Sequence, residues 1–168
     1  ADAMAADAKL RPEVLDALDH FCALHSRRAG LQSSVAHPDY FAPPEARGFL
    51  TDVMGRFARR GIARVFQLEI AGQVVAMRLG FRFGNSLYLY YSGYDPAWSR
   101  YSVMTTLLAE IIQDGIARGM TSVNLSTGND VSKTRWGPAE VTYSRTVELS
   151  HSFGAHIRYA GFQVIRSI

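Results

Sequence analysis

Residues 65–91, VFQLEIAGQVVAMRLGFRFGNSLYLYY, decide the fold because their apolar side chains recur at alternate positions. Such alternation is typical of strands that bury one face. Two turn sequences interrupt it, Ala71-Gly72 and Gly84-Asn85, and the second has the residue types that a tight hairpin needs for positive φ angles. The stretch therefore predicts three antiparallel strands joined as a meander.

Two amphipathic helices are predicted upstream of the meander. One spans residues 12–25, beginning at a proline, and the other spans residues 44–60, with Gly61 in the position of a C-terminal cap. The residues between them are rich in proline and glycine and are predicted to be irregular. In this loop His37 is interpreted as a solvated residue, although a loop histidine could also reach a site.

A long apolar stripe predicts a third helix downstream, over residues 103–116, with Ser102 or Thr105 as its N-cap. The remaining predicted elements are a strand at 122–125, a helical turn at 131–137, a strand at 141–149 and a helix at 153–168. Together these elements predict an α+β fold, in which a mixed, mostly antiparallel central sheet is flanked by helices.

Length and composition fit one globular domain. The chain has 168 residues, 48% of them hydrophobic, which suffices for a core without disulfides. We expect residues 1–8 to be a disordered or tag-derived tail and residues 9–168 to form a single domain. The sequence shows neither a membrane span nor a secretory leader, and its single cysteine excludes an internal disulfide, so a cytoplasmic location is expected.

Arginine supplies nearly all of the positive charge, with only two lysines among 18 basic residues and a net charge of +3. The planar guanidinium group matches the oxygens of phosphate. The excess of positive charge is therefore compatible with a small polyanionic ligand, but it is too small for a nucleic-acid-binding surface. No cluster with metal-ligand spacing is present in the sequence, so no metal is expected.

Two polar stretches are candidates for ligand binding. The start of the third helix, residues 102–106, presents backbone N–H groups that favour an anion, although Ser102 and Thr105 could simply cap the helix. Residues 126–137, STGNDVSKTRWG, follow a strand, where binding residues concentrate. The alternative for this second stretch is a capped turn with solvated Lys133 and Arg135.

Residues 72–137 resemble the GNAT acyltransferase superfamily, and within it the branch of Fem-like and cellulose-biosynthesis acetyltransferases with a BioF2-like domain. The resemblance rests on residues 72–76, 91–96, 101–104 and 119–137, and the last range contains the matching residues Lys133, Arg135, Trp136 and Gly137. It implies the GNAT fold and an acetyl-CoA or other acyl-CoA donor that lies between two splayed parallel strands.

The resemblance implies an N-acyltransferase that moves an acetyl or acyl group from acyl-CoA to an amine, such as an amino sugar, in bacterial surface-polysaccharide or envelope biosynthesis. We assign proton transfer or acceptor binding to Ser126 and Asp130. The implied donor-binding residues are Ser92, Gly93, Tyr94, Ser102, Val103, Met104, Thr105 and Thr106. The implied acceptor-binding residues are Tyr91, Asp95, Lys133, Arg135 and Trp136.

The sequence departs from this family's pattern where the pyrophosphate loop usually has glycine, since residues 102–105 contain none. This departure keeps two alternatives open, a Fem-type transferase that uses aminoacyl-tRNA and a non-catalytic GNAT-like domain that binds a nucleotide or another ligand. Fem-like proteins often carry two such domains. The chain, which does not begin with Met, is thus consistent with the C-terminal half of a longer protein, with a second GNAT-like domain or a homodimer as partner.

Overall fold

The computed structural model describes residues 12–31, 37–144, 146 and 148–166. The tail predicted at residues 1–8 lies outside the described residues. Contacts within the chain divide it into two units, of which the first ends at Arg135 and the second begins at Trp136. The expectation that residues 9–168 form one domain stays a prediction.

A four-stranded mixed sheet with helices packed on it forms the first unit. In chain order the elements are α1 (Pro12–Ala29), α2 (Pro44–Arg59), β1 (Ala63–Ile70), β2 (Gln73–Phe83), β3 (Ser86–Tyr94), a 3-10 turn (Pro96–Tyr101), α3 (Val103–Ala117), β4 (Ser122–Asn124) and α4 (Val131–Thr134). The strand order is β1-β2-β3-β4, with antiparallel pairing except between β3 and β4, which are parallel. A parallel pair needs a crossover, and α3 supplies it. The predicted α+β fold is confirmed.

Alternation along β2 places the core on one face of the sheet. Met77 and Leu79 are fully buried and belong to a cluster with Phe21 of α1 and Met54 of α2. The opposite face is covered by α3, and there a groove of about 490 Å³ separates α3 from β1. Residues of β2 between the core positions therefore face the α3 side.

The observed helices differ from the predicted ones at two points that matter for the site. α1 continues to Ala29 and carries Arg27 and Arg28 in its last turn, although its pattern predicted an end near His25. The predicted N-cap position of α3 is confirmed at Ser102, but the Ser102 side chain makes no capping hydrogen bond.

One predicted strand is wrong. The described residues within 141–149 form no strand, and Val141 and Tyr143 are 69% and 85% exposed. Alternating sequence alone does not hold a strand, which needs a neighbouring strand for its hydrogen bonds. The predicted final helix is confirmed as α5 (Phe153–Arg166) in the second unit. No helix in the part of the chain that the structure describes is long and apolar enough to cross a membrane.

Candidate active site

The pairing between the parallel strands β3 and β4 is short. Their pairing covers Ser86–Tyr88 of β3 and ends at the pair Tyr88–Asn124, while β3 continues to Tyr94. The register between β2 and β3 shifts between Arg78 and Gly80, which places one extra residue on β3. Such a bulge bends the strand that carries it. In the described part of the chain, β3 from Leu89 onward is thus an open edge toward β4.

The start of α3 can bind an anion. Val103 and Met104 are its first residues, and the first N–H groups of an α-helix have no carbonyl within the helix to bond. Ser102 adopts a left-handed conformation with φ 53°, the conformation for which glycine is favoured. The chain therefore makes the turn into α3 without the glycine that the family usually has there.

A guanidinium group lies over this first turn of α3. Arg135 Nη1 is 3.5 Å from Thr105 Oγ1, and Arg135 Nε donates a hydrogen bond to the carbonyl oxygen of Val131 at 3.1 Å. The same turn carries the partial positive charge of the helix dipole. Together the free N–H groups and Arg135 form a site that suits the phosphate oxygens of a nucleotide-like ligand.

α1 lies directly on the end of β3. A Cβ atom at Gly93 would come within 2.5 Å of the backbone nitrogen of His25, so only glycine allows this approach. The imidazole of His25 is buried and donates from Nδ1 to the carbonyl oxygen of Ser92 at 3.0 Å. Ser92 itself is 6% exposed. The contact fixes the segment of β3 that faces the open edge.

Two side chains from outside β3 reach this segment. Arg28 Nη1 donates to Ser92 Oγ at 2.9 Å, and Arg28 Nη2 is 3.2 Å from His37 Nε2. Burial and the nearby positive charge of Arg28 lower the pKa of His37, so its imidazole is neutral at pH 7. A neutral imidazole accepts a proton, and this one lies beside the open end of the sheet.

The loop after β4 brings Asp130 and Lys133 to the same region. Asp130 accepts hydrogen bonds from the Lys133 ammonium group and from the Ser132 hydroxyl and N–H. The Lys133 ammonium group, followed by Ser132, holds the pKa of Asp130 down at about 2. A carboxylate with so low a pKa is a weak base. Its arrangement favours holding Lys133 in place over accepting a proton.

The structure brings most of the sequence-predicted site residues together, but their roles stay predictions. Ser126 has a φ of 71°, and its Oγ is 3.5 Å from the hydroxyl of Tyr88, at the point where β3 and β4 part. Asp95 pairs with Arg27 at 3.0 Å and caps the 3-10 turn through the N–H of Ala97. Asp95 therefore begins a turn, and its contact with an acceptor stays a prediction.

The two predicted aromatic residues on β3 have different surroundings. Tyr91 packs edge-on against Phe41, with ring centres 4.9 Å apart, and burial raises the pKa of its hydroxyl. Tyr94 lies below Arg28, whose guanidinium carbon is 5.8 Å from the ring centre. Tyr94 is therefore the closer of the two to the charged groups. Trp136 begins the second unit of the chain, and its role in acceptor binding stays a prediction.

Sequence reasoning missed the contribution of the arginines at this site. Arg28 was hidden because the pattern of α1 predicted an earlier end. Arg78 alternates with apolar residues along its strand, and such positions are usually solvated. The signal that could have found it is the strong apolar stripe of α3, because a helix of that kind must cover the outer face of the sheet and enclose Arg78.

Comparisons with known proteins identify the family of this chain. A family model described as "Acetyltransferase (GNAT) domain" matches residues 4–136. The chain belongs to this family. It is therefore an acetyltransferase domain, and GNAT acetyltransferases use acyl-CoA and an amine acceptor. The Fem-like branch is not confirmed, since the family model supports GNAT membership alone.

Two solved structures with TM-scores above 0.5 show the same fold at low sequence identity. A probable acetyltransferase has a TM-score of 0.53 and 16% identity, over 84% of this chain and 95% of that one. An aminoglycoside acetyltransferase from an uncultured soil metagenomic sample has a TM-score of 0.52 and 13% identity, with the same coverage. The Escherichia coli ribosomal-protein-S18-alanine N-acetyltransferase has a TM-score of 0.44 and 18% identity, over 68% of this chain and 61% of that one. No curated protein matches the chain.

Proposed function

We propose that this domain is an N-acetyltransferase that binds acetyl-CoA along the open edge of β3 and passes the acetyl group to an amine. The observation that carries the proposal is that β3–β4 pairing ends at Tyr88 and Asn124 while β3 continues to Tyr94, from where one 3-10 turn leads to the start of α3. The opening suits the extended pantetheine arm, and the free N–H groups of Val103 and Met104 suit its pyrophosphate. Arg135, which the resemblance assigns to the acceptor, lies beside them and is proposed here to add a positive charge to the donor site.

The chemistry requires a polarised carbonyl and an amine that loses a proton. Backbone N–H groups of β3 that face the open edge, in the segment from Ser92 to Tyr94, would donate to the thioester oxygen. The amine nitrogen attacks the carbonyl carbon, the carbon–sulfur bond breaks and the CoA thiolate leaves. The neutral imidazole of His37 is the group best suited to take up the amine's proton.

Asp130 and Ser126 keep the roles of acceptor binding that we assign to them. The low pKa of Asp130 assigns it to electrostatic positioning, since its carboxylate holds Lys133 toward the acceptor side. The Ser126 hydroxyl lies where the two parallel strands part, and it can donate to an acceptor oxygen. An amino sugar of the bacterial cell envelope is one acceptor with suitable oxygens, and a cytoplasmic location would be consistent with an acyl-CoA donor.

Isothermal titration with acetyl-CoA tests the proposal. Binding in the micromolar range, weakened by Arg135→Gln but not by Arg118→Gln at the opposite end of α3, is expected. Absence of binding at millimolar acetyl-CoA would refute the enzyme proposal for this chain.

The two alternatives predict other ligands. Activity that depends on charged tRNA and not on acyl-CoA would favour a Fem-type transferase. A thermal-shift response to a cyclic dinucleotide, without one to CoA, would favour a non-catalytic binding domain.

A further inference from the structure

Two arginines from different elements converge on Ser92. Arg28, in the last turn of α1, donates from Nη1 to Ser92 Oγ at 2.9 Å. Arg78, in the middle of β2, is the direct partner of Ser92 in the antiparallel register. Directly opposed residues of this kind have their Cβ atoms about 5 Å apart. The Arg28 side chain therefore reaches Ser92, and the Arg78 side chain begins directly beside it. Ser92 lies in the segment of β3 that forms the open edge.

The positive charges of these arginines are poorly matched. Arg78 Nε is buried and has no hydrogen-bond partner. Burial, and then the charge of Arg28, lowers the pKa of Arg78 to about 10, and burial lowers the pKa of Arg28 as well. Among the described residues, Asp130 is the carboxylate that opposes both effects, and it is already bonded to Lys133.

These two positive charges destabilise the fold unless a bound ligand neutralises them. A buried charge without a partner destabilises a fold, and two neighbouring like charges repel each other. An anion between the two guanidinium groups would satisfy the donor at Arg78 Nε and remove the repulsion. Arginine binds carboxylate and phosphate through the same planar pair of N–H groups, so either anion fits.

We propose that Arg28 and Arg78 bind a carboxylate or phosphate group of the acceptor and thereby select amines that carry an anionic group. This inference rests on the proposed acetyl transfer. An acceptor held by its anion beside Ser92 has its amine near the segment proposed to hold the thioester, and such positioning is a main source of rate in a direct transfer. The phosphates of the donor are assigned to the start of α3, so the two anions occupy separate sites.

Binding of free anions tests the site without knowledge of the acceptor. The protein is titrated with inorganic phosphate and, separately, with acetate, both with and without saturating CoA. We expect one anion per chain in the presence of CoA, and an affinity at least about tenfold weaker in Arg78→Gln, as for loss of a charge-assisted pair of hydrogen bonds. Arg82→Gln, four residues along the same strand, is the matched control and should bind normally.

A stability measurement excludes a purely structural role for Arg78. Because Arg78 Nε is buried without a hydrogen-bond partner, Arg78→Met should melt at the same temperature as the wild type or higher in phosphate-free, low-salt buffer. It should also lose the thermal shift that phosphate gives the wild type. Arg28→Gln, nearer the surface, should lose the same shift. A melting temperature that falls by more than about 5 °C in Arg78→Met, or an unchanged phosphate shift, would overturn the proposal.

Paired amines separate failure of this inference from failure of the proposed function. Thiol release from acetyl-CoA is followed with β-alanine against propylamine, and with glucosamine 6-phosphate against glucosamine. The anionic member of each pair should have a kcat/KM at least about tenfold higher, and Arg78→Gln should remove the preference without changing the KM for acetyl-CoA. Transfer to neutral amines without preference overturns the anion site alone. Loss of all CoA binding overturns the proposed function, and the free-anion titration then decides the site.

Discussion

Replacing Gly93 by alanine is the sharpest test of how α1 sits on β3. The added Cβ would lie 2.5 Å from the nitrogen of His25 and 2.7 Å from the carbonyl carbon of Leu24. Both are backbone atoms, which cannot rotate away. The helix and the strand would have to move apart by about 1 Å before the contact becomes an ordinary one.

The expected cost follows from that movement. Overpacking of a well-packed contact costs about 1–3 kcal/mol, and a clash with backbone belongs at the upper end, about 3 kcal/mol. For a chain of this length the melting temperature falls by about 2–4 °C per kcal/mol, so Gly93→Ala should lower it by about 6–12 °C. The same shift would break the bond between His25 and the Ser92 carbonyl and lower acetyl transfer.

Differential scanning calorimetry measures the effect, with Gly48→Ala as the control. Gly48 lies in α2, where an added Cβ has no atom within 4 Å. Alanine is favoured over glycine in a helix by about 0.5–1 kcal/mol, so this variant should melt slightly above the wild type. A melting temperature for Gly93→Ala within about 1 °C of the wild type would refute the direct contact between α1 and β3.

Three further predictions concern the charged groups. Arg135→Gln should weaken CoA binding about tenfold in isothermal titration while Arg118→Gln does not, and equal affinities would remove Arg135 from the donor site. The carboxyl of Asp130 should titrate near pH 2 by NMR. Its pKa in the folded protein lies below its usual value of 3.8. The Asp130 carboxylate therefore stabilises the fold above about pH 4, and this stabilisation is lost as the pH falls toward 2. A midpoint between pH 4 and 7 would contradict its bond to Lys133. His37→Gln should lower kcat more than it raises KM and should remove the acid limb of the pH–rate profile, whereas an unchanged limb would exclude it as the proton acceptor.

Most of the fold could be predicted from local sequence patterns. The three strands of the meander, their two turns and the long helix α3 follow from the alternation of apolar residues and from the glycines at the turns, because these signals act over a few residues. The prediction of a strand at 141–149 was wrong for the opposite reason. Pairing depends on a neighbour elsewhere in the chain, and alternation does not show whether that neighbour exists.

The candidate site was predictable only in part. The start of α3 and the residues around Asp130 and Lys133 were expected as binding elements because helix starts and loops after strands have properties that sequence reveals. The convergence of Arg28 and Arg78 on Ser92 was not expected. It depends on the register of β2 with β3 and on where α1 crosses them, and both are set by tertiary packing.

A crystal structure with bound acetyl-CoA tests the central claim most directly. The pyrophosphate oxygens should lie within hydrogen-bond distance of the N–H groups of Val103 and Met104, with the pantetheine arm along β3 between Leu89 and Ser92. Acetyl-CoA bound elsewhere on the domain, or paired strands closed over that edge in its presence, would contradict the account.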